Sequence, residues 1–310
     1  FCIGSTSCDV NLFRAARAVA GSEGDSPVDW TAVGTAARAG TDPGELSLSA
    51  ADRDGYADDV ADARSRIRSA SGIDFELPGS VEVQNRHHWI DANVATFRRL
   101  LAPLEGGAMV APSLARAANT GTMAVTLGFL ANNVLGQYDP MLLGDDDHCL
   151  YFVHPNVVGV ADALEADRDR FRRWIAFHEV AHAAEFDAAP WLASHLESEM
   201  EAALGELDTT MTAVEGYAEL VMDRAFDEAY ADLREKLDAK RREAGPISAL
   251  VRRLLGFGRK RRQYERGKAF FDAVADERGV AGAGAVWERP ENLPTDAELD
   301  DPSAWLRRVA

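Results

Sequence analysis

The sequence predicts a mainly α-helical protein with one small β-sheet, an α+β class, and two observations lead there. From Val28 onward, most of the chain spaces its apolar residues three and four apart, as one face of a helix does. One stretch, Leu150 to Val160 (LYFVHPNVVGV), is instead dense in β-branched and aromatic residues and reads as a strand. With 310 residues, 46% of them hydrophobic, the chain has ample material for a core.

Phe1 to Pro27 reads as a flexible lead and residues 28–310 as a single domain. Helical spacing runs over Ala50 to Ala70 and His88 to Leu104, with the pair His87-His88 in a loop before the second helix. Ala111 to Leu135 is rich in small residues and predicts a closely packed, buried helix. After the strand, Asp167 is a suitable N-cap for a long helix that ends near Glu185 or Phe186, stopped by Asp187 to Pro190. Trp191 to Leu207, Thr209 to about Lys240 and Ser248 to Gly279 read as further helices, and the tail from Trp287 is rich in Pro and Asp.

The charge balance narrows the function. Acidic residues outnumber basic ones 51 to 33, a net of -18, so phosphate-bearing partners are repelled and nucleic acid is not expected. Only four of the basic residues are lysine (Lys236, Lys240, Lys260 and Lys268), and many acids with few lysines suit a protein kept soluble in high salt, a halophilic expectation. No run reaches the ~20 apolar residues of a membrane span; the nearest, Met123 to Leu135, is broken by Asn132 and Asn133. Cys2, Cys8 and Cys149 are odd in number and lack framework spacing, and no signal peptide is visible. A reduced, cytoplasmic setting is the expectation.

The stretch that carries chemistry is FHEVAHAAEF, Phe177 to Phe186. On a helix, residues four apart lie about 40° from each other around the axis, so His178 and His182 can reach one metal ion from the same face. Glu179 is rotated away from the ion but can hold a water that the ion binds. Zinc lowers the pKa of that water towards 7, and the adjacent carboxylate takes its proton. The competing reading is a fortuitous histidine pair on an ordinary helix. Trp174, Ile175, Phe177, Val180 and Ala181 supply the apolar flank that a half-buried site needs.

A catalytic zinc wants a third protein ligand. The extended H-E-x-x-H-x-x-G-x-x-H form is excluded, because Glu185 and Ala188 occupy its glycine and histidine positions. AVEGYAELVMD, Ala213 to Asp223, offers Glu215 and Glu219 one turn apart on one helix face. Glu215 can bind the ion while Glu219 accepts the free N–H of a ligand histidine. A solvated acidic face accounts for the same pattern, and Glu185, on the face of both histidines, is a rival ligand.

His178-Glu179-x-x-His182 followed by Glu215-Gly216-x-Ala218 resembles the gluzincin arrangement, in which a glutamate before glycine completes the zinc site. More closely, the chain resembles the zincin-like metallopeptidase family, whose actinobacterial members are often labelled as associated with deazaflavin coenzyme biosynthesis. The matching pieces include VDW (Val28 to Trp30), WIDANVATFRRLLAPL (Trp89 to Leu104), LGQYDP (Leu135 to Pro140), HPNVV (His154 to Val158), the two motifs above, and DPSAW (Asp301 to Trp305). They run in order from about Val28 to the C-terminus. The resemblance implies a zincin-like metallopeptidase fold, zinc as the cofactor, and His178, His182 and Glu215 as its ligands. It also implies a peptide or protein substrate that it does not identify. The 32 residues between His182 and Glu215 exceed the roughly twenty common in gluzincins, which predicts an extra helix between the two motifs.

Tyr138 in LGQYDP is a candidate donor to an oxyanion, against the reading of a tyrosine satisfied in a turn. LYFVHPNVV is a candidate edge strand above the active-site helix, able to pair with an extended peptide. His154 and His195 read as surface or satisfied core residues, and the basic run Arg252 to Lys268 as an amphipathic helix with a solvated face rather than a dock for an acidic partner. Two functions remain open: a zinc metallopeptidase with Glu179 as general base, and a catalytically inactive protein of the same fold that serves as a scaffold.

Overall fold

The computed structural model describes residues 14–22, 26–101, 112–139, 149–201, 207–226, 230, 232–233, 235–236 and 260–309. The mainly helical class with a small sheet is observed. In chain order the elements are α1 (Trp30–Ala39), α2 (Ala50–Ser71), β1 (Ser80–Gln84), α3 (Arg86–Leu101), α4 (Pro112–Ala131), β2 (Gly136–Asp139), β3 (Cys149–Val153) and α5 (His154–Ala163). They continue with α6 (Arg168–Ala188), α7 (Leu192–Glu201), α8 (Leu207–Ala225) and α9 (Lys260–Ala283). Two short 3-10 turns and the helices α10 (Asp296–Asp300) and α11 (Pro302–Arg308) end the chain. The strands form one mixed sheet in the order β1-β3-β2. No helix among the described residues is long and apolar enough to cross a membrane.

Two compact units are distinguishable. The first draws on residues 1–47, 83–135 and 151–159. Its core joins Trp30, Val33, Ala36 and Ala37 of α1 to Trp89 and Ile90 of α3, to Ala124, Leu127 and Ala131 of α4, and to Val153 at the end of β3. Asp29 starts α1 by accepting the Ala32 N–H at 2.9 Å, and its own N–H donates to Thr120 Oγ1 on α4 at 3.0 Å.

Several expectations about this unit need correction. The strand read over Leu150 to Val160 stops at Val153, and a helix starts at His154. Pro155 has its fixed φ in the first helical turn, where a missing N–H costs nothing. Asn156 then donates to the Ala131 and Val134 carbonyls at 2.8 and 2.7 Å and accepts from Arg86 Nε at 2.7 Å, which fixes the strand-to-helix switch. β3 is also the central strand, so the edges are β1 and β2, the latter a four-residue element inside LGQYDP. His87 and His88 lie within α3 rather than before it. α4 is buried on one face only: Leu114 and Val125 are 71% and 61% exposed.

The second unit draws on residues 48–82, 136–150 and 160–310 and contains α2, α6, α8 and α9. Asp167 is the N-cap of α6 as expected, accepting from Arg170 N at 2.8 Å. The helix runs to Ala188, slightly beyond the expected end at Glu185 or Phe186, and stops where Pro190 forces Ala189 out of helical geometry. Two arginines tie α6 to α2: Arg172 Nε to Asp59 Oδ2 at 2.6 Å, and Arg173 Nη2 to Asp62 Oδ2 at 2.6 Å. The Arg173 guanidinium also lies over the rings of Phe177 and Phe226, 5.1 and 4.8 Å from their centroids.

α8 and α9 pack at two glycines. A Cβ on Gly216 would lie 2.4 Å from the Gly267 carbonyl carbon, and a Cβ on Gly267 would lie 2.3 Å from the Thr212 carbonyl oxygen. The glycine of the Glu-Gly motif is therefore required by backbone crossing, not by conformation. Of the basic run, residues 252–259 lie outside the described set; from Lys260 the chain is helical, with Phe270, Phe271 and Val274 buried. Arg266 pairs with Asp296 and Asp300, and Lys268 with Asp223 and Asp272. Gly279, at φ 74°, breaks α9 at the residue where the periodicity ends. In the tail, Trp305 is fully buried and its indole N–H donates to the Asn292 carbonyl at 2.6 Å.

The Gly216–Gly267 crossing yields a prediction with a decided sign. Alanine favours a helix over glycine by roughly 1 kcal/mol, but overpacking against backbone atoms that cannot rotate costs about 1–3 kcal/mol or more. Gly267→Ala is therefore destabilising, visible as a lower urea midpoint; an unchanged or raised midpoint would contradict the packing.

Candidate metal centre

α6 presents His178 and His182 on one face, one turn apart, with their rings edge to face at 79° and 4.7 Å between centroids. Their Nε2 atoms lie 3.3 Å apart. Glu215, on α8, places Oε2 at 3.9 Å from each of those nitrogens. Four donors arranged tetrahedrally at about 2.0–2.1 Å from a zinc ion stand about 3.3 Å from one another, so these three fit the base of such a site with a small closing movement. Among the described residues, this group of three is the one cluster of possible metal ligands. α7 lies between the two motifs, in the place where the long spacing predicts an extra helix.

The donor chemistry agrees with the distances. His182 Nδ1 is 2.8 Å from Glu185 Oε2, which is fully buried. A proton held on Nδ1 by this carboxylate leaves the lone pair on Nε2, the atom that faces His178 and Glu215. Burial alone disfavours a protonated His182, but the surrounding Glu185, Glu215 and Glu179 carboxylates outweigh it and push its pKa up to about 9. Burial likewise pushes Glu185 up to about 7, against the pull of His182.

Sequence reasoning gave the role of ring-orienting carboxylate to Glu219 and considered Glu185 only as a rival ligand. At His182 the carboxylate that meets the ring is Glu185, with Oε2 2.8 Å from Nδ1. The i, i+3 spacing from His182 was the available signal, since a residue at that offset meets the back of the ring rather than the ion. Glu219 is buried one turn beyond Glu215 on α8. His195 stands elsewhere, 3.0 Å from Glu199, as a satisfied structural residue.

Glu179 turns away from the three donors, as the 100° step predicts. It is buried, and its Oε2 accepts the backbone N–H of Tyr138 on β2 at 2.9 Å. Burial pushes its pKa up to about 7, with the nearby His182 and the Tyr138 N–H opposing the rise. Tyr138 thus contacts Glu179 through its backbone, and its ring packs obliquely on Phe186 of α6 at 5.6 Å.

A family model for zincin-like metallopeptidases matches residues 28–203 and 197–306. The chain belongs to that family. The chain is also similar to a solved structure from Chloroflexus aurantiacus, provisionally described as a hydrolase with a novel fold. The two share 29% identity and a TM-score of 0.72, over 96% of this chain and 97% of the other. No curated protein matches this chain.

The His182–Glu185 contact can be checked on the metal-free protein. Because the carboxylate raises the imidazole pKa, Glu185→Gln is expected to lower it. An NMR titration of His182 should move its midpoint down from about 9; an unmoved midpoint would rule out Glu185 as the controlling group.

Proposed function

We propose that this protein is a zinc-dependent metallopeptidase. The observation that carries the reading is the convergence of two imidazole nitrogens from one helix and a carboxylate oxygen from another, at mutual distances of 3.3 to 3.9 Å. His178, His182 and Glu215 hold the ion, which when bound polarises a carbonyl and acidifies water. Glu185 holds the His182 ring in its metal-binding tautomer, and Glu219 supports the ligand set from α8.

Glu179 is the proton carrier. A carboxyl group with a pKa near 7 both accepts and returns a proton at neutral pH, as general acid–base chemistry requires. In peptide hydrolysis it takes a proton from the attacking water as the new C–O bond forms. It then delivers that proton to the departing nitrogen as the C–N bond breaks. The Tyr138 phenol is the candidate donor to the oxygen of the tetrahedral intermediate. β2, the edge strand that packs on α6 while β1 forms the other edge, is where an extended peptide can add, in place of the LYFVHPNVV segment favoured by sequence.

Glu179→Gln is expected to retain one zinc per chain and to lose about 10²–10⁴-fold in the zinc-dependent cleavage of unfolded protein or short peptides. Metal content by elemental analysis and turnover on the same sample test this, and full retained activity refutes the role.

Metal affinity should also depend on pH with a definite sign. His182, with a pKa of about 9, carries a proton that the ion must displace. Apparent zinc affinity therefore falls as pH is lowered, by about tenfold per pH unit for each proton released. A competition titration with a chromophoric chelator between about pH 8 and pH 6 measures the slope; a flat profile would contradict it.

A further inference from the structure

We propose that Gly136 is a positioning residue for Glu179: the bare backbone of β2 at this point is what lets the carboxylate lie against the strand and stay aimed. The inference deepens the peptidase reading and rests on it for its catalytic meaning, but its geometry stands without it.

A glutamate leaving a helix has three rotatable bonds, so α6 alone does not determine where the Glu179 carboxylate goes. β2 determines it. One oxygen accepts the Tyr138 N–H at 2.9 Å. Two residues earlier, on the same side of the strand, a Cβ added to Gly136 would lie 2.6 Å from Glu179 Cγ, 2.7 Å from Oε1 and 2.9 Å from Cδ. Approaches this close are not tolerated between non-bonded heavy atoms, and all three fall on one side chain.

The usual reason for a glycine is absent here. Among the described residues, the glycines with positive φ are Gly44, Gly72 and Gly279, so the backbone at Gly136 suits any residue. Space for Glu179 is the remaining requirement. A methyl group there must expel the carboxylate from the strand and from the Tyr138 N–H. Glu179 is only 7% exposed, so it cannot exchange that donor for bulk water without leaving its seat. The three atoms nearest that methyl group all belong to Glu179 and none to His178, His182 or Glu215, so the effect is separable from metal binding.

The test is a double-mutant cycle of Gly136→Ala and Glu179→Ala, read on metal-free protein by amide hydrogen exchange at Tyr138 and by thermal stability. Exchange at Tyr138 is expected to quicken about tenfold or more in either single variant, and in the double variant to be no faster than in Glu179→Ala. The stability lost in Gly136→Ala should return when Glu179 is also alanine, because the clash is gone. On zinc-loaded protein, Gly136→Ala should keep its metal stoichiometry and lose kcat with little change in KM. Unchanged Tyr138 exchange in Gly136→Ala, or an equal loss of stability in both backgrounds, overturns the proposal. Should Gly136→Ala alone fail to fold, a folded double variant supports it and an unfolded one overturns it. If the unmodified protein cleaves nothing, the peptidase reading fails while the exchange cycle still decides the role of Gly136.

Discussion

The second unit is organised around a costly arrangement: four carboxylates buried on two packed helices. Glu179 and Glu185 on α6, and Glu215 and Glu219 on α8, are each less than one-tenth exposed. Ionised carboxylates removed from water are unfavourable unless something compensates them. The chain supplies part of the compensation itself, through the proton on His182 and through the rise of Glu179 and Glu185 towards neutrality. A small divalent cation between His178, His182 and Glu215 would complete it. Binding such an ion would then also stabilise the fold, since the unfolded chain has no preformed site.

Holding the carboxylates in place demands rigid walls, and these are built from pairs that contribute more to register than to stability. Arg172 and Asp59 are nearly buried, with side chains 13% and 11% exposed, so the attraction between them is largely offset by the loss of hydration. What they achieve is a fixed rotation of α6 against α2. Arg173, bonded to Asp62 and lying over Phe177 and Phe226, sets the same helix from a second side. The residue after Phe177 is His178, so the aim of the first donor follows from packing one position away.

The parts of this design that depend on helical repetition were legible in the sequence. Asp167 announced the start of α6, and the four-residue interval placed both histidines on one side of it. The Glu215-Gly216 pair stood out as a candidate ligand by its context, although no spacing rule could bring it across to α6. Strand assignments fared worse. β2 is four residues long, GQYD, too short for alternation to register and free of β-branched residues. β3 was overextended because Val157 and Val158 suit a strand, whereas Asn156 and Pro155 build a helix start from contacts distant in sequence. The roles of Gly136 and Glu185 are contact properties, invisible until β2 and the back of the His182 ring have neighbours.

The crossing at Gly216 and Gly267 has a consequence for how the molecule comes into being. The helix that carries the third donor is shaped to receive a backbone synthesised long after it. While the ribosome is still reading that later segment, the HEVAH helix and Glu215 have both emerged, yet the groove beside Gly216 is vacant. Seating of the helix that carries Glu215 is thereby deferred until that later segment has emerged, and a nascent chain would have the donors without the buttress that seats them.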